Sequence, residues 1–340
     1  MKKISLIIPI LALGCLLNAQ PLIKRTQVMM GTYVSISLPA EKLEHAKASF
    51  DRIKKVERAL SSYDTQAQIY KLNYEQRVTL SKDSYEALML SQKYYKQTDG
   101  YFDITIGSIT KGLFHFGDKE VIPSLFELNK ARVDFNGLHF DKHSAWIDKG
   151  IKIDLGGMGK GFGVDKAVDV LKEKGIKEAV VSLSGDIHCL HQCQMSVQNP
   201  FYEGLLASFT VAQNNTAIST GGNYRRYVKD TKYNHLINPK THQSQRVFAS
   251  ITLISDTLSN SDLDAYATAA SVMPYTQALR FLDTQPLGYL LVTNTKELKM
   301  SKRFKELTAD LSLFSLEDPR KQEYIEVSPL KTQNSKKLLP

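Results

Sequence analysis

The sequence predicts an α+β chain in which mixed sheets pack with helices, and three observations carry that expectation. Apolar residues recur at helical spacing in four separate stretches, others gather in short β-type runs, and the two kinds do not alternate strictly. Strict alternation would indicate a doubly wound parallel sheet.

The elements follow in order. "TQVMMGTYVSISLP" alternates apolar and polar residues from Tyr33 onward and reads as a strand. Leu43, Ala46, Phe50, Ile53, Val56 and Leu60 then mark one apolar face of a helix. Ser84 to Tyr95 forms a second helix, ended by the Asp99-Gly100 turn signal. In "IDLGGMGKGFGVDKA", residues 153–167, a strand, a glycine turn and a helix follow one another; Val164, Ala167, Val168 and Leu171 supply the apolar face, Gly175 closes the helix, and "EAVVSLSG" is the next strand. "HCLHQC" lies between the strand-like runs "AVVSLSGDI" and "QMSVQNP" and reads as a hairpin tip, where Cys189 and Cys193 would pair in an oxidising compartment. Its His188, Cys189, His191 and Cys193 lack a recognised four-ligand metal spacing. Further on, "SITLISDT" reads as a strand, "SDLDAYATAASVM" as a helix and "LGYLLVTN" as a buried strand.

Residues 1–19 have the form of an export signal, with Lys2 and Lys3 ahead of an apolar run from Ile4 to Leu17 and a cut after Ala19. The expected location is the periplasm; Cys15 after Gly14 offers a lipid anchor to the inner membrane as the alternative to a soluble form. Residues 20–316 form one domain, and 317–340 are a polar tail that wraps the surface or stays loose. Losing Lys2 and Lys3 lowers the formal charge from +9 to +7, and the remaining lysines are scattered rather than gathered with aromatics into a nucleic-acid stripe. No nucleic-acid partner is expected.

The stretch 153–167 holds five glycines. A glycine-rich turn before a helix suits an anion, because the backbone approaches closely and the first helical N–H groups are unpaired. The dinucleotide fingerprint fails, since Phe162 and Val164 stand where its third glycine belongs, and the triphosphate loop fails because Gly161 follows Lys160. Phosphate binding and a plain tight turn both remain open on this stretch alone.

The ordered set resolves them. "MGT" (30–32), "SSYDTQAQIYKLN" (61–73), "DGYFDITIG" (99–107), the glycine stretch, "SGDI" (184–187), "ISTGGNYRRY" (218–227), "HLINPKT" (235–241) and "DAYAT" (264–268) together resemble the FAD:protein FMN transferase family, the ApbE-type flavin transferases, over nearly all of the chain after the export signal. The resemblance implies an α+β flavin transferase domain with an FAD cleft between sub-lobes. It implies magnesium-dependent transfer of FMN from FAD, as substrate, to a Thr or Ser hydroxyl of an exported or membrane-bound redox flavoprotein. A phosphoester forms and AMP leaves. A periplasmic flavin-binding protein without catalysis and an FAD pyrophosphatase releasing FMN and AMP are the alternatives.

On this resemblance the metal ligands are Asp264, Thr268 and a carbonyl near Gly159; Asp264 and Thr268 stand four apart on one helix face, and such hard oxygens suit magnesium. Lys160 and the backbone of Gly156 to Gly161 would cradle the diphosphate, and His235 would be the base that takes the acceptor's proton. Met30, Gly31, Thr32, Tyr63, Asp103, Asp186, Thr220 and Tyr224 would hold the cofactor, Asp186 by receiving a polar edge. The chain departs from the common family pattern at Ile104 for Pro, Ser184 for Gly, Gly221 for Ser, Asn238 for Asp and His242 for Gly. Gly221 and Asn238 bear on substrate positioning.

Overall fold

A two-residue turn starts the main sheet. Met30 and Gly31 take positive φ, 51° and 69°, the geometry that matches the twist of a hairpin. They fold β1 (Ile23–Met29) back on β2 (Thr32–Leu38). The sequence reading found only the second of these strands, because β1 is exposed along nearly its whole length and has no apolar alternation. The computed structural model describes residues 21–317 and 324–326; the export signal, Cys15 and most of the polar tail lie outside them.

Beyond the hairpin come α1 (Ala46–Leu60), α2 (Gln68–Glu75), β3 (Arg77–Thr79), α3 (Lys82–Gln97), α4 (Gly107–Thr110), α5 (Leu125–Lys130), β4 (Leu138–Phe140) and β5 (Ser144–Ile147). Then follow α6 (Gly159–Glu173), β6 (Val180–Leu183), β7 (Asp186–Cys189), β8 (Gln194–Gln198), β9 (Leu205–Val211), β10 (Thr216–Gly222) and β11 (Phe248–Ser255). The last elements are α7 (Asn260–Val272), α8 (Tyr275–Asp283), β12 (Gly288–Thr293), β13 (Leu298–Met300), α9 (Lys302–Glu306), β14 (Thr308–Phe314) and β15 (Tyr324–Glu326).

Eight strands form the main sheet in the order β1-β2-β6-β7-β10-β11-β12-β13; β15-β14-β9-β8 make a second sheet and β3-β5-β4 a third. The class is α+β as expected. Neighbouring strands in these sheets run antiparallel, so the mixture is of helices with sheets rather than of strand directions. Helices α6 and α7 cover one face of the main sheet, and α1 packs against α6. The second sheet covers the other face, where Val197, Leu206 and Phe209 meet Ile218, Ile254, Leu290 and Val292. Strand β11 is therefore buried along its whole length, which explains why it reads as a nearly continuous apolar run.

Three expectations need correction. No strand precedes the glycine turn: the Asn73 amide takes both backbone groups of Ile153, N–H at 2.6 Å and C=O at 2.8 Å, in place of a neighbouring strand. "HCLHQC" is not a hairpin tip, because β7 lies in the main sheet and β8 in the second. The Cys189–Cys193 disulfide is present and joins the two ends of that crossing. The domain boundary at 316 leaves out β15, whose residues Tyr324–Glu326 pair with Phe314–Ser312 of β14.

Close approach of α6 to α7 requires one particular glycine. A Cβ on Gly161 would stand 2.2 Å from the Asn260 carbonyl oxygen, whereas one on Gly159 would meet nothing within 4 Å. Gly161→Ala should therefore lower unfolding free energy by about 3 kcal/mol or more, through overpacking against rigid backbone. Gly159→Ala should change it by no more than about 1 kcal/mol. Urea denaturation of the two variants beside the parent checks both; equal losses would refute the asymmetry.

Candidate active site

The helices α6 and α7 terminate each other. Met158, the residue before α6, makes no side-chain cap; instead the Gly161 N–H donates to Asp264 Oδ2 of α7 at 3.1 Å. In return Asp165 of α6 accepts the N–H groups of Asn260 at 2.8 Å and Ser261 at 2.9 Å, the first residues of α7. Each carboxylate satisfies orphan donors and the positive end of the partner's dipole.

The anion seated on the glycine-rich terminus is thus the protein's own Asp264. The expected backbone cradle over Gly156–Gly161 is largely spent internally: Gly156 N–H donates to Asp154 Oδ1, and Met158 and Gly159 N–H to the Leu155 carbonyl. Lys160 likewise faces carboxylates. Its Nζ lies 2.6 Å from Asp186 Oδ2 and 3.2 Å from both oxygens of Asp264. Burial opposes the Lys160 charge, but the two carboxylates more than offset this and raise its pKa. Asp186 is raised to about 7, by burial first and then by the neighbouring Asp264 carboxylate. With one oxygen on Lys160 and the other accepting from Ser219 Oγ at 2.6 Å, buried Asp186 holds the lysine.

Thr268 Oγ1 donates to the Gly157 carbonyl at 3.0 Å. The loop carbonyl in contact with Thr268 is that of Gly157, two residues before Gly159, the first residue of α6. A carboxylate, a hydroxyl and a carbonyl in this arrangement fit a hard divalent cation.

His235 is oriented by one backbone atom. The Arg226 carbonyl accepts its N–H at 3.2 Å and its Nδ1 at 3.0 Å. A carbonyl only accepts, so Nδ1 carries the hydrogen and Nε2 keeps a lone pair. Burial and then the Arg226 charge push the pKa down from 6.5 to about 4, so the imidazole is neutral at pH 7 and suited to accept a proton.

The remaining candidates surround this centre. Met30 N–H donates to Glu57 Oε1 at 2.7 Å, and its sulfur lies over Gly163 of α6; Gly31 completes the turn and Thr32 opens β2. Thr220 donates its N–H to the Gly185 carbonyl and shares a hydroxyl contact of 3.1 Å with Thr252. The Tyr224 ring rests on Gly222, where a Cβ would approach it to 2.5 Å. Tyr63 accepts from Lys111 and Arg226 and donates to the Phe116 carbonyl. One oxygen of Asp103 accepts the Thr105 N–H and hydroxyl, and burial lifts its pKa to about 6. It holds a turn.

The departures are accommodated. Asn238 accepts the N–H groups of Lys240 and Thr241 and donates to the Val272 carbonyl at the end of α7. A Cβ on Gly221 would meet open space, so the common Ser would fit there. Ser184 and His242 both take positive φ, 57° and 59°, the backbone region for which glycine is suited. Sequence reasoning missed Asp154, Asp165 and Arg226, although all three lie inside the quoted motifs; Lys111, just beyond one of them, gave no signal.

A family model described as the ApbE family matches residues 30–291. Curated relatives include an FAD:protein FMN transferase of Haemophilus influenzae, 26% identical over 75% of this chain and 81% of that protein. Another, from Buchnera aphidicola, is 27% identical over 82% of this chain and 88% of its own length. Among solved structures, the ApbE protein from Thermotoga maritima superposes with a TM-score of 0.77 at 23% identity, covering 85% of this chain and 100% of that one. The flavin transferase ApbE from Vibrio cholerae gives 0.72 at 21% identity, over 84% and 99%.

Two outcomes follow from the geometry. Lys160→Met removes the counter-charge of a buried carboxylate and should cost on the order of 2–3 kcal/mol, below the value for a fully buried pair because Lys160 is partly exposed; an unchanged melting temperature would refute the pairing. His235 has a depressed pKa, so the stability it contributes is present above pH 6.5 and is lost as pH falls toward about 4. His235→Ala should accordingly lose less stability between pH 7 and pH 5 than the parent, measured by denaturation at both values.

Proposed function

The chain belongs to the ApbE family, and we propose from that premise that it transfers FMN from FAD to a Thr or Ser hydroxyl of a target protein, with magnesium. One observation supports this most directly. The Gly157 carbonyl, the Thr268 hydroxyl and the Asp264 carboxylate stand together at the start of α6, and a neutral His235 with a free Nε2 belongs to the same constellation, its titration depressed in part by Lys160.

Those three oxygen donors would hold the magnesium ion, which when bound supplies neutralising charge to the phosphate oxygens. Lys160 and Asp186 fix the Asp264 carboxylate in place. The Met30–Thr32 turn, Thr220 and Tyr224 would line the cleft and orient FAD. His235 Nε2 takes the proton of the acceptor hydroxyl as its oxygen bonds to the phosphorus of the FMN phosphate. The bond from that phosphorus to the bridging oxygen breaks, and AMP leaves with the bridging oxygen. The product is a phosphoester between FMN and the acceptor side chain.

The proposed setting is the periplasm, with an exported or membrane-bound redox flavoprotein as acceptor. Residues 1–19 support export, and the Cys189–Cys193 disulfide supports an oxidising compartment. Among the described residues no helix is long and apolar enough to cross a membrane.

Incubation with FAD, magnesium and a candidate acceptor, followed by AMP release and acceptor mass, tests the reading. AMP with an FMN-sized mass increase is expected; AMP and free FMN without it would show hydrolysis instead. Asp264→Asn should reduce magnesium-dependent turnover by roughly 100-fold or more. His235→Ala should reduce transfer by roughly 100-fold with little change in FAD affinity. Parallel loss of FAD binding and rate in His235→Ala would mark a structural histidine.

A further inference from the structure

With Lys160 engaged by Asp186 and Asp264, that cluster carries one negative charge in excess when all three are ionised. It attracts cations, not phosphate. The opposite imbalance lies at Tyr63. Its hydroxyl oxygen meets both Lys111 Nζ and an Arg226 guanidinium nitrogen, the latter at 2.5 Å. Lys111 Nζ is also 3.7 Å from the Tyr63 ring centroid.

Among the described residues, one carboxylate forms an ion pair with either of these two cations. Asp154 lies 3.6 Å from Lys111 Nζ, and its oxygens are shared with Thr110 Oγ1 at 2.6 Å and the Gly156 N–H at 2.9 Å. A phenol is a dipole rather than a counter-ion, so the two cations face one ion-paired carboxylate, with Glu120 set back on the Gly117 N–H at 3.0 Å. The chain passes close to this pair at Gly117, which takes φ 82°; a Cβ there would stand 3.0 Å from Tyr63 Oη and 3.1 Å from the Arg226 guanidinium. Arg226 is exposed, while its carbonyl is the atom that fixes His235. The guanidinium and the base are thus set by one residue.

We propose that Lys111 and Arg226, gathered on Tyr63, form a binding site for the phosphate of the FMN moiety that is being transferred. This rests on the transfer reaction proposed above. As the acceptor oxygen bonds to phosphorus and the bond to the AMP oxygen breaks, the nonbridging oxygens keep their negative charge, and a fork of guanidinium and ammonium donors meets it. Asp154 is a positioning residue that holds Lys111.

FMN and riboflavin share the flavin ring and differ in that phosphate, so their titration into the full chain, followed by flavin fluorescence, isolates the contact. Arg226→Met should raise the FMN dissociation constant by about ten- to a hundredfold and leave riboflavin within about twofold. Lys111→Met should act in the same direction, and Arg226→Lys should lose less than Arg226→Met. Parallel weakening of FMN and riboflavin, or FMN affinity unchanged in both methionine variants, would overturn the site. The transfer assay on the parent separates this from the function. FMN discrimination lost in Arg226→Met while the parent transfers nothing would retain the site and remove the reaction; transfer by a parent whose discrimination survives Arg226→Met would do the reverse.

Discussion

Reciprocal capping of α6 and α7 is the constraint on which the rest depends. Asp264 terminates α6, Asp165 terminates α7, and the bare α-carbon of Gly161 lets the Asn260 carbonyl come within a distance that any side chain would forbid. This fixes the start of α6 against the middle of α7, so that Gly157 and Thr268, 111 residues apart, share a hydrogen bond. Asn260 extends the same lock into the main sheet through the carbonyls of Ile187 and Ile218 and the ring of His188. An oxygen site built on two helices and a sheet has little freedom to relax, which suits a role in positioning.

Charge is distributed unevenly across this frame. A group of two carboxylates and one ammonium, Asp186, Asp264 and Lys160, lies at the helix junction, and two cations, Lys111 and Arg226, gather at Tyr63. His235 feels both, since Arg226, Lys160 and Asp154 all act on its titration. A substrate with a phosphate and a bound cation would be aligned by such a pair of opposite fields before any specific contact forms.

Much of this was legible in the sequence. Helical periodicity located α1, α3 and α6, because each buries one face, whereas α7 is buried almost all round; the ordered motifs cover most of the candidate site's segments. Partner choice was not legible. Nothing local indicates that Asp264 would cap α6, that Asp186 would serve Lys160, or that Gly157 rather than Gly159 would face Thr268, because these are contacts between residues far apart in the chain. Edge strand β1 escaped detection for another reason: it pairs on one side only and buries little.

The neighbours β2 and β6 in the main sheet are remote in sequence, with Val34 opposite Leu183, 149 positions later. Everything from α1 to α6 is threaded between two adjacent strands. Loop closure of that length is entropically slow, and a sheet assembled across it raises the mean separation of contacting residues. The Met30 turn lies over Gly163 of α6, so its seat on that helix belongs to the long-range closure rather than to local structure. A chain delivered across a membrane unfolded would therefore acquire its binding surface late, after the helices it rests on, and a flavin present at that stage would favour the final closure over the partly assembled state.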